Sequence, residues 1–104
     1  MMELRTYTLA DAAALENYVS EFWPHHIRTL GKYGIIVHGV WTEPSVEEPR
    51  VLALVDYSGG DPRALAERYA NSEDFIDDHR QFDASLIVAT HTRTLEPIAG
   101  SPLQ

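Results

Sequence analysis

The sequence contains no cysteine in its 104 residues. This absence excludes a disulfide framework, a thiolate nucleophile and a metal site with cysteine ligands. The sequence also has no apolar run long enough to span a membrane and no basic start leading into an apolar segment, so a secretory signal is not expected. A single cytoplasmic domain is therefore predicted, since 104 residues is an ordinary length for one domain.

Basic residues are scarce. The chain has 8 Lys and Arg against 16 Asp and Glu, which gives a formal net charge of −8. Such a chain would be repelled by a phosphate backbone and by an anionic membrane surface, so neither nucleic acid nor a membrane is an expected partner. Lysine occurs once, as Lys32 near a predicted helix end, where its charge complements the helix dipole.

Four segments have the composition of β-strands. Val, Ile, Thr and aromatic residues dominate them, and turn-forming residues separate them. The predicted strands are residues 3–8, 35–42, 51–57 and a last strand that starts at Ala84. A polar connection with two prolines, residues 43–49, joins the second strand to the third.

Three segments have helical periodicity. A long helix follows Asp11, a residue that can cap its first turn. Pro24 lies inside this helix, and because proline lacks a backbone N–H and clashes one turn back, a kink or break is predicted near Ser20 to Trp23. Shorter helices are predicted after Asp61 and after Ser72.

The order of these elements is strand, helix, strand, strand, helix, strand. It predicts an α+β, ferredoxin-like βαββαβ domain over residues 1–98, with a four-stranded antiparallel sheet and helices on one face. A flexible tail is predicted at 99–104. Because the helices leave the other face of the sheet uncovered, a second copy of the chain is the expected partner, in a homodimer or a higher homo-oligomer.

Four short stretches resemble the NIPSNAP family. They are "MELRTYTL", the helix end "GKYG", the strand "VHGVWTE" and the tyrosine that closes the third strand in "VDY". The similarity runs from about Met2 to Pro97 and implies a dimeric α+β barrel, in which two ferredoxin-like subunits pack their sheets together. The wider barrel superfamily is similar to cofactor-free monooxygenases, small-ring isomerases, lyases and haem enzymes, so the resemblance implies a scaffold rather than one reaction.

Histidine and tyrosine supply the candidate acid–base residues. Neighbouring helix residues diverge by about 100°, so His25 and His26 are not expected to act as a pair. His26 follows Phe22 by four residues and is predicted to face the sheet, where His38 on the second strand could meet it. His26, His38 and Tyr7 are the catalytic candidates. The alternative is that His26 is a satisfied, partly buried histidine near the kink.

The outer strands supply the candidate binding residues. Arg5 and Tyr7 share one face of the first strand, and His91 and Arg93 share one face of the last. These strands are neighbours in the predicted fold, so the side chains could meet and hold an anionic or enolic molecule, or form a structural ion-pair network instead. Trp41 could stack on a ligand or belong to the dimer core. The substrate-binding candidates are Arg5, Trp41, His91 and Arg93.

No metal and no cofactor is predicted. The stretch "EDFIDDHR", residues 73–80, is interpreted as a solvated acidic helix face, with Phe75 and Ile76 on the buried side. No spacing of histidines and carboxylates completes a metal site, and haem held by one histidine is a further alternative.

A small-molecule-binding homodimer is the predicted function. Its chemistry would be cofactor-independent oxygenation, isomerisation or cyclisation of an enolic or aromatic substrate, in which a desolvated base takes a proton and hydrogen-bond donors hold the anion. The alternative is a non-catalytic binding or interaction module.

Overall fold

A computed structural model describes residues 2–43, 47–80 and 82–104. Its strands are β1 (Met2–Leu9), β2 (Ile36–Glu43), β3 (Arg50–Asp56) and β4 (Ile87–Leu95). They form one antiparallel sheet in the order β2-β3-β1-β4. The predicted ferredoxin-like fold is therefore confirmed, and each strand starts within three residues of its predicted position. Part of the predicted polar connection, residues 44–46, lies outside the described residues.

The described residues also form four helices. They are α1 (Ala12–Asn17), α2 (Trp23–Gly31), α3 (Pro62–Ala70) and α4 (Glu73–His79), and a 3-10 turn covers Ala84–Leu86. The Asp11 carboxylate accepts a hydrogen bond from Ala14 N at 2.8 Å, and the Ser72 hydroxyl accepts one from Phe75 N at 3.1 Å. Each cap satisfies a backbone donor that the first helical turn leaves free. None of the described helices has the length and apolar character needed to cross a bilayer.

A π-helical turn, Tyr18–Phe22, joins α1 to α2. Pro24 explains its position, because proline cannot donate a hydrogen bond and its ring would clash with the carbonyl group of Ser20 in a regular α-helix. The wider π turn relieves this clash. The interruption predicted next to Pro24 is therefore confirmed. Tyr18, Phe22 and His26 are all buried on the side of the long helix that faces the sheet.

The core lies between the helices and the sheet. Val51, Ala53 and Val55 of β3 point into it and are at most 1% exposed. Their cross-strand partners on β1 are Tyr7, Arg5 and Glu3. Because side chains alternate along a strand, these polar residues of β1 lie on the same helix-covered face as the apolar core of β3.

The opposite face of the sheet is open. Ile36, Trp41 and Leu95 on this face are between 40% and 54% exposed. Residues 96–104 form neither helix nor strand, and several of them line a hollow together with Met2 and Leu54 at one end of the open face. The flexibility expected of residues 99–104 stays a prediction.

Candidate functional site

A cavity of about 190 Å³ lies between the helices and the sheet. Its walls are mainly aromatic, and they also carry imidazole, phenol and guanidinium groups. The polar lining comes from Arg5 and Tyr7 on β1, Tyr18 and His26 on the long helix, Tyr69 on α3 and His79 on α4. An engineered apolar cavity of about 150 Å³ holds benzene, whereas drug-sized ligands need about 300 Å³ or more. The cavity therefore suits a molecule with one ring.

The carboxylate of Asp78 fixes the His26 ring from inside the protein. Asp78 is only 1% exposed, and its Oδ2 lies 3.0 Å from His26 Nδ1. The same oxygen accepts a hydrogen bond from the Tyr69 hydroxyl at 2.5 Å, and Thr29 Oγ1 donates to Oδ1 at 3.2 Å. Because a carboxylate can only accept, His26 carries its proton on Nδ1 and leaves an unprotonated nitrogen at Nε2.

His25 reaches the same carboxylate from the outside. Its side chain is 50% exposed, and His25 Nε2 lies 3.2 Å from Asp78 Oδ1. The two histidines point in different directions, as their helix positions predict, but both rings contact the same carboxylate, which the sequence did not predict. Asp78 lies on α4, which packs against α2, so one carboxylate can meet two successive side chains, one with each oxygen.

The interpretation of residues 73–80 as a solvated acidic face is wrong for Asp78. Asp78 is buried, whereas Ile76, which the sequence predicts on the buried side, is 54% exposed. The buried carboxylate is tolerated because hydroxyl and imidazole groups surround it. A signal for this was present in the three-residue spacing of Phe75 and Asp78, which places both on the side of α4 that faces the other helices.

Burial controls the protonation of this cluster. It lowers the pKa of His26 to about 4, although the contact with Asp78 acts in the opposite direction. Burial alone would raise the pKa of Asp78, but hydrogen bonds from Tyr69, His26 and Thr29 hold that pKa below its usual value. Burial and the neighbouring carboxylate raise the pKa of Tyr69. At neutral pH the cluster is therefore a neutral imidazole and a phenol around an ionised carboxylate.

Arg5 brings a positive charge to the wall of the cavity. Its Nη2 lies 3.2 Å from Glu3 Oε1, and it also donates a hydrogen bond to the Tyr57 hydroxyl. That hydroxyl in turn donates to Glu3 Oε1 at 2.5 Å. The ion-pair network that was one predicted alternative for Arg5 is therefore present, and the guanidinium still contributes to the cavity lining.

His38 does not meet His26, so the prediction of a cavity shared by these two residues is wrong. A β-bulge between Val37 and Gly39 changes the register of β2 against β3. His38 consequently turns toward the open face of the sheet, where its Nε2 lies 3.5 Å from Asp56 Oδ2. The alternation of side chains along the strand could not predict this direction of the His38 side chain, because a bulge inserts a residue without an obligatory sequence signal.

His91 and Arg93 also lie on the open face. They pair across the strands with Thr6 and Leu4, which alternate with the cavity-facing residues of β1. The predicted meeting of His91 and Arg93 with the side chains of Arg5 and Tyr7 is therefore wrong. His91 and Arg93 instead line a hollow of about 550 Å³ on the open face, the face that also carries Trp41.

Within the parts of the chain that the structure describes, no group of three or more His, Asp or Glu residues is arranged to hold a metal ion.

The fold and the cavity define an α+β domain of ferredoxin-like topology with a small aromatic site between its helices and its sheet. Many unrelated activities use this architecture. The family model of the NIPSNAP proteins matches residues 2–102 of the chain. This protein belongs to the NIPSNAP family.

Solved structures show the same fold. The chain is similar to an uncharacterized NIPSNAP domain protein from Burkholderia xenovorans, with a TM-score of 0.78, 20% identity and 97% of each chain covered. It is also similar to two NIPSNAP family proteins from Agrobacterium tumefaciens. One, of unknown function, has a TM-score of 0.81 and 17% identity over 99% of this chain and 92% of that one. The other has a TM-score of 0.73 and 19% identity over 99% and 90%. No curated protein matches the chain.

Proposed function

We propose that this protein binds a small aromatic or enolic compound with a single ring in the helix–sheet cavity, and that His26 acts there as a general base. The observation that carries the proposal is the contact between His26 and Asp78. The buried carboxylate holds Nδ1 at 3.0 Å, so the unprotonated Nε2 is the nitrogen left for a ligand. A carboxylate that orients an imidazole in this way also stabilises the imidazolium that forms when the ring accepts a proton.

The pKa of His26 restricts the substrates that this base can serve. At about 4, the ring is fully unprotonated at neutral pH but is a weak base. Taking a proton from a group with a pKa of about 10 would then be uphill by about 8 kcal/mol. A turnover of about 10 per second corresponds to a barrier of about 16 kcal/mol, so such a transfer is compatible with catalysis. A much less acidic C–H group would exceed that barrier.

The other polar groups of the cavity suit the anion that results. Arg5 and Tyr7, which both carry hydrogen-bond donors, line the cavity. Fixed donors near a developing charge are effective because they need no reorganisation. Isomerisation or cyclisation of a conjugated anion can proceed from this point, and oxygenation can proceed if dioxygen enters as the oxidant. A base and hydrogen-bond donors are sufficient for the formation of the anion.

Two measurements on the same variants test the proposal. Phenol binding is measured by calorimetry. Base catalysis is measured by the NMR-detected exchange with D₂O of the C–H proton between the two carbonyl groups of 2-acetylcyclohexanone, a single-ring compound acidic enough for this weak base. We expect wild type to bind phenol and to accelerate exchange. Ala84→Phe, which fills the cavity from its lining, should lose both properties, and His26→Asn should lose the acceleration. If wild type does not bind phenol, the proposed site is refuted.

A non-catalytic binding module is the second candidate. It is favoured by the way Asp78 connects α2 and α3 through His26, Thr29 and Tyr69, since such a network stabilises the helix layer without any reaction. This candidate predicts that wild type and His26→Asn bind phenol alike. It also predicts that wild type exchanges this proton of 2-acetylcyclohexanone no faster than buffer does.

We further propose that two copies associate through the open face of the sheet. Large apolar side chains are exposed there, among them Trp41, and exposed apolar surface of this kind commonly marks an interface. Light scattering coupled to size exclusion tests this. We expect a dimer for wild type and a monomer for Trp41→Glu. Ile76→Glu is the matched control, since Ile76 has the same 54% exposure on α4. A monomeric wild type, or a dimeric Trp41→Glu, would refute the proposed interface.

A further inference from the structure

A second imidazole lines the cavity. His79 Nδ1, at the end of α4, lies 2.8 Å from the carbonyl oxygen of Phe75, one turn earlier in the same helix. A carbonyl oxygen only accepts hydrogen bonds, so Nδ1 carries the proton of the neutral ring. The nitrogen with the free lone pair is then Nε2, on the side of the ring directed away from that carbonyl group.

The two imidazoles belong to the same aromatic wall of the cavity. The Phe22 ring lies 4.4 Å from the His26 ring and 5.4 Å from the His79 ring, measured between centroids. The Phe75 ring lies 4.0 Å from that of His79. Neither His26 Nε2 nor His79 Nε2 has a hydrogen-bond partner among residues 2–43, 47–80 and 82–104. The cavity thus offers two nitrogen acceptors on imidazole rings of the same tautomer. An acceptor oxygen at Nδ1 fixes each ring.

We propose that the cavity is a site for a single-ring compound with two hydroxyl groups, one donated to His26 Nε2 and the other to His79 Nε2. This deepens the proposed function by naming the ligand class. The aromatic walls provide faces on which a flat ring can stack. The volume agrees with a ring that carries small substituents. The cavity holds about 190 Å³, whereas a cavity of about 150 Å³ holds benzene. The difference is somewhat larger than the volume of one water molecule, about 30 Å³, and leaves room for hydroxyl groups on the ring.

Selectivity follows from the two acceptors. A ligand with one hydroxyl group leaves one of the two Nε2 atoms in the cavity without a donor, and a partly buried acceptor without a partner is unfavourable. A site built to bond a hydroxyl group therefore discriminates against the analogue that lacks it. We expect the better-fitting diol to bind about five- to tenfold more tightly than phenol.

Calorimetry with a series of simple probes tests the inference. The probes are the three benzenediols, phenol and 1,4-dimethoxybenzene, which has a ring and two oxygens but no donor. In wild type, at least one diol should bind about five- to tenfold more tightly than phenol, and dimethoxybenzene should bind more weakly than both. His79→Phe keeps a ring at the position but removes the acceptor, so it should bind the diol and phenol alike. His91→Phe, the same change on the open face of the sheet, should keep the preference for the diol.

The outcomes separate this inference from the proposed function. Equal binding of diol and phenol by wild type, or a diol preference that survives in His79→Phe, overturns the two-imidazole site and leaves the phenol site intact. Absence of binding for every probe overturns both. If His79→Phe does not fold, the histidine ¹⁵N spectrum of wild type decides. A diol should shift the Nε2 resonances of both His26 and His79, and a shift of only one of them overturns the inference.

Discussion

Acidification should destabilise this protein through His26 by about 3 kcal/mol between pH 7.5 and pH 4. Burial lowers the pKa of the ring to about 4, from about 6.5 for an exposed histidine. Between these two values the unfolded chain binds a proton that the folded protein does not, so the free energy of unfolding decreases as the pH falls. A difference of about 2.5 pKa units, at about 1.36 kcal/mol each, sets the limit at about 3.4 kcal/mol. About 3 kcal/mol of this is lost by pH 4, where the folded ring is half protonated.

Urea unfolding at a series of pH values measures this effect. The signal is tryptophan fluorescence, and a constant protein concentration removes any contribution from association. The free energy of unfolding should fall about 3 kcal/mol further for wild type than for His26→Asn, whose side chain does not titrate. His91→Asn on the exposed face should retain the wild-type decrease. Asp78, with its lowered pKa, adds a further loss only below about pH 4. Parallel curves for wild type and His26→Asn would refute the assignment of His26 as a neutral buried ring.

Three further substitutions, one of them with a matched control, test local features of the structure. Asp78→Ala should lower the free energy of unfolding by about 3–5 kcal/mol in urea at pH 7.5, because it leaves several buried donors without an acceptor; a loss below about 1 kcal/mol would contradict this. Gly39→Ala should displace Trp41 and change the near-ultraviolet circular dichroism, since the new Cβ would lie 2.5 Å from the indole ring. Gly31→Ala meets no atom within 4 Å and should leave that spectrum unchanged. Asp11→Ala should lower the free energy of unfolding by about 1 kcal/mol, because it removes the helix cap. Thermal unfolding measures this, and an unchanged midpoint would show that the cap does not contribute.

The fold could be predicted because its signals are local. The nearly continuous apolar strand around Ala53 identifies the centre of the sheet, and Asp11 and Ser72 mark helix starts with the caps that the structure shows. Pro24 located the interruption of the long helix through the backbone donor that it lacks. Each of these signals depends on residues within one or two turns of the position concerned.

The candidate site was predictable only in part. Arg5, Tyr7 and His26 line the cavity because helix and strand periods determine the direction of their side chains. His38 escaped prediction because the β-bulge beside it leaves no obligatory mark in the sequence. Asp78 escaped prediction for a different reason. Its burial depends on donors such as His26, 52 residues earlier in the chain, and a carboxylate without such partners would be on the surface.

The π-helical turn at Tyr18–Phe22 makes the position of His26 depend on the number of residues in the long helix. A substitution does not change this number, but a deletion or an insertion does. A π turn holds one residue more than an α turn, and each residue of an α-helix rotates those after it by about 100°. Deleting one residue here would allow an uninterrupted helix, yet it would swing His26 out of the cavity and away from Asp78. Helix content would then be preserved while the imidazole was lost. A single residue gained or lost at this turn would therefore change the chemical lining of the cavity without altering the architecture of the domain.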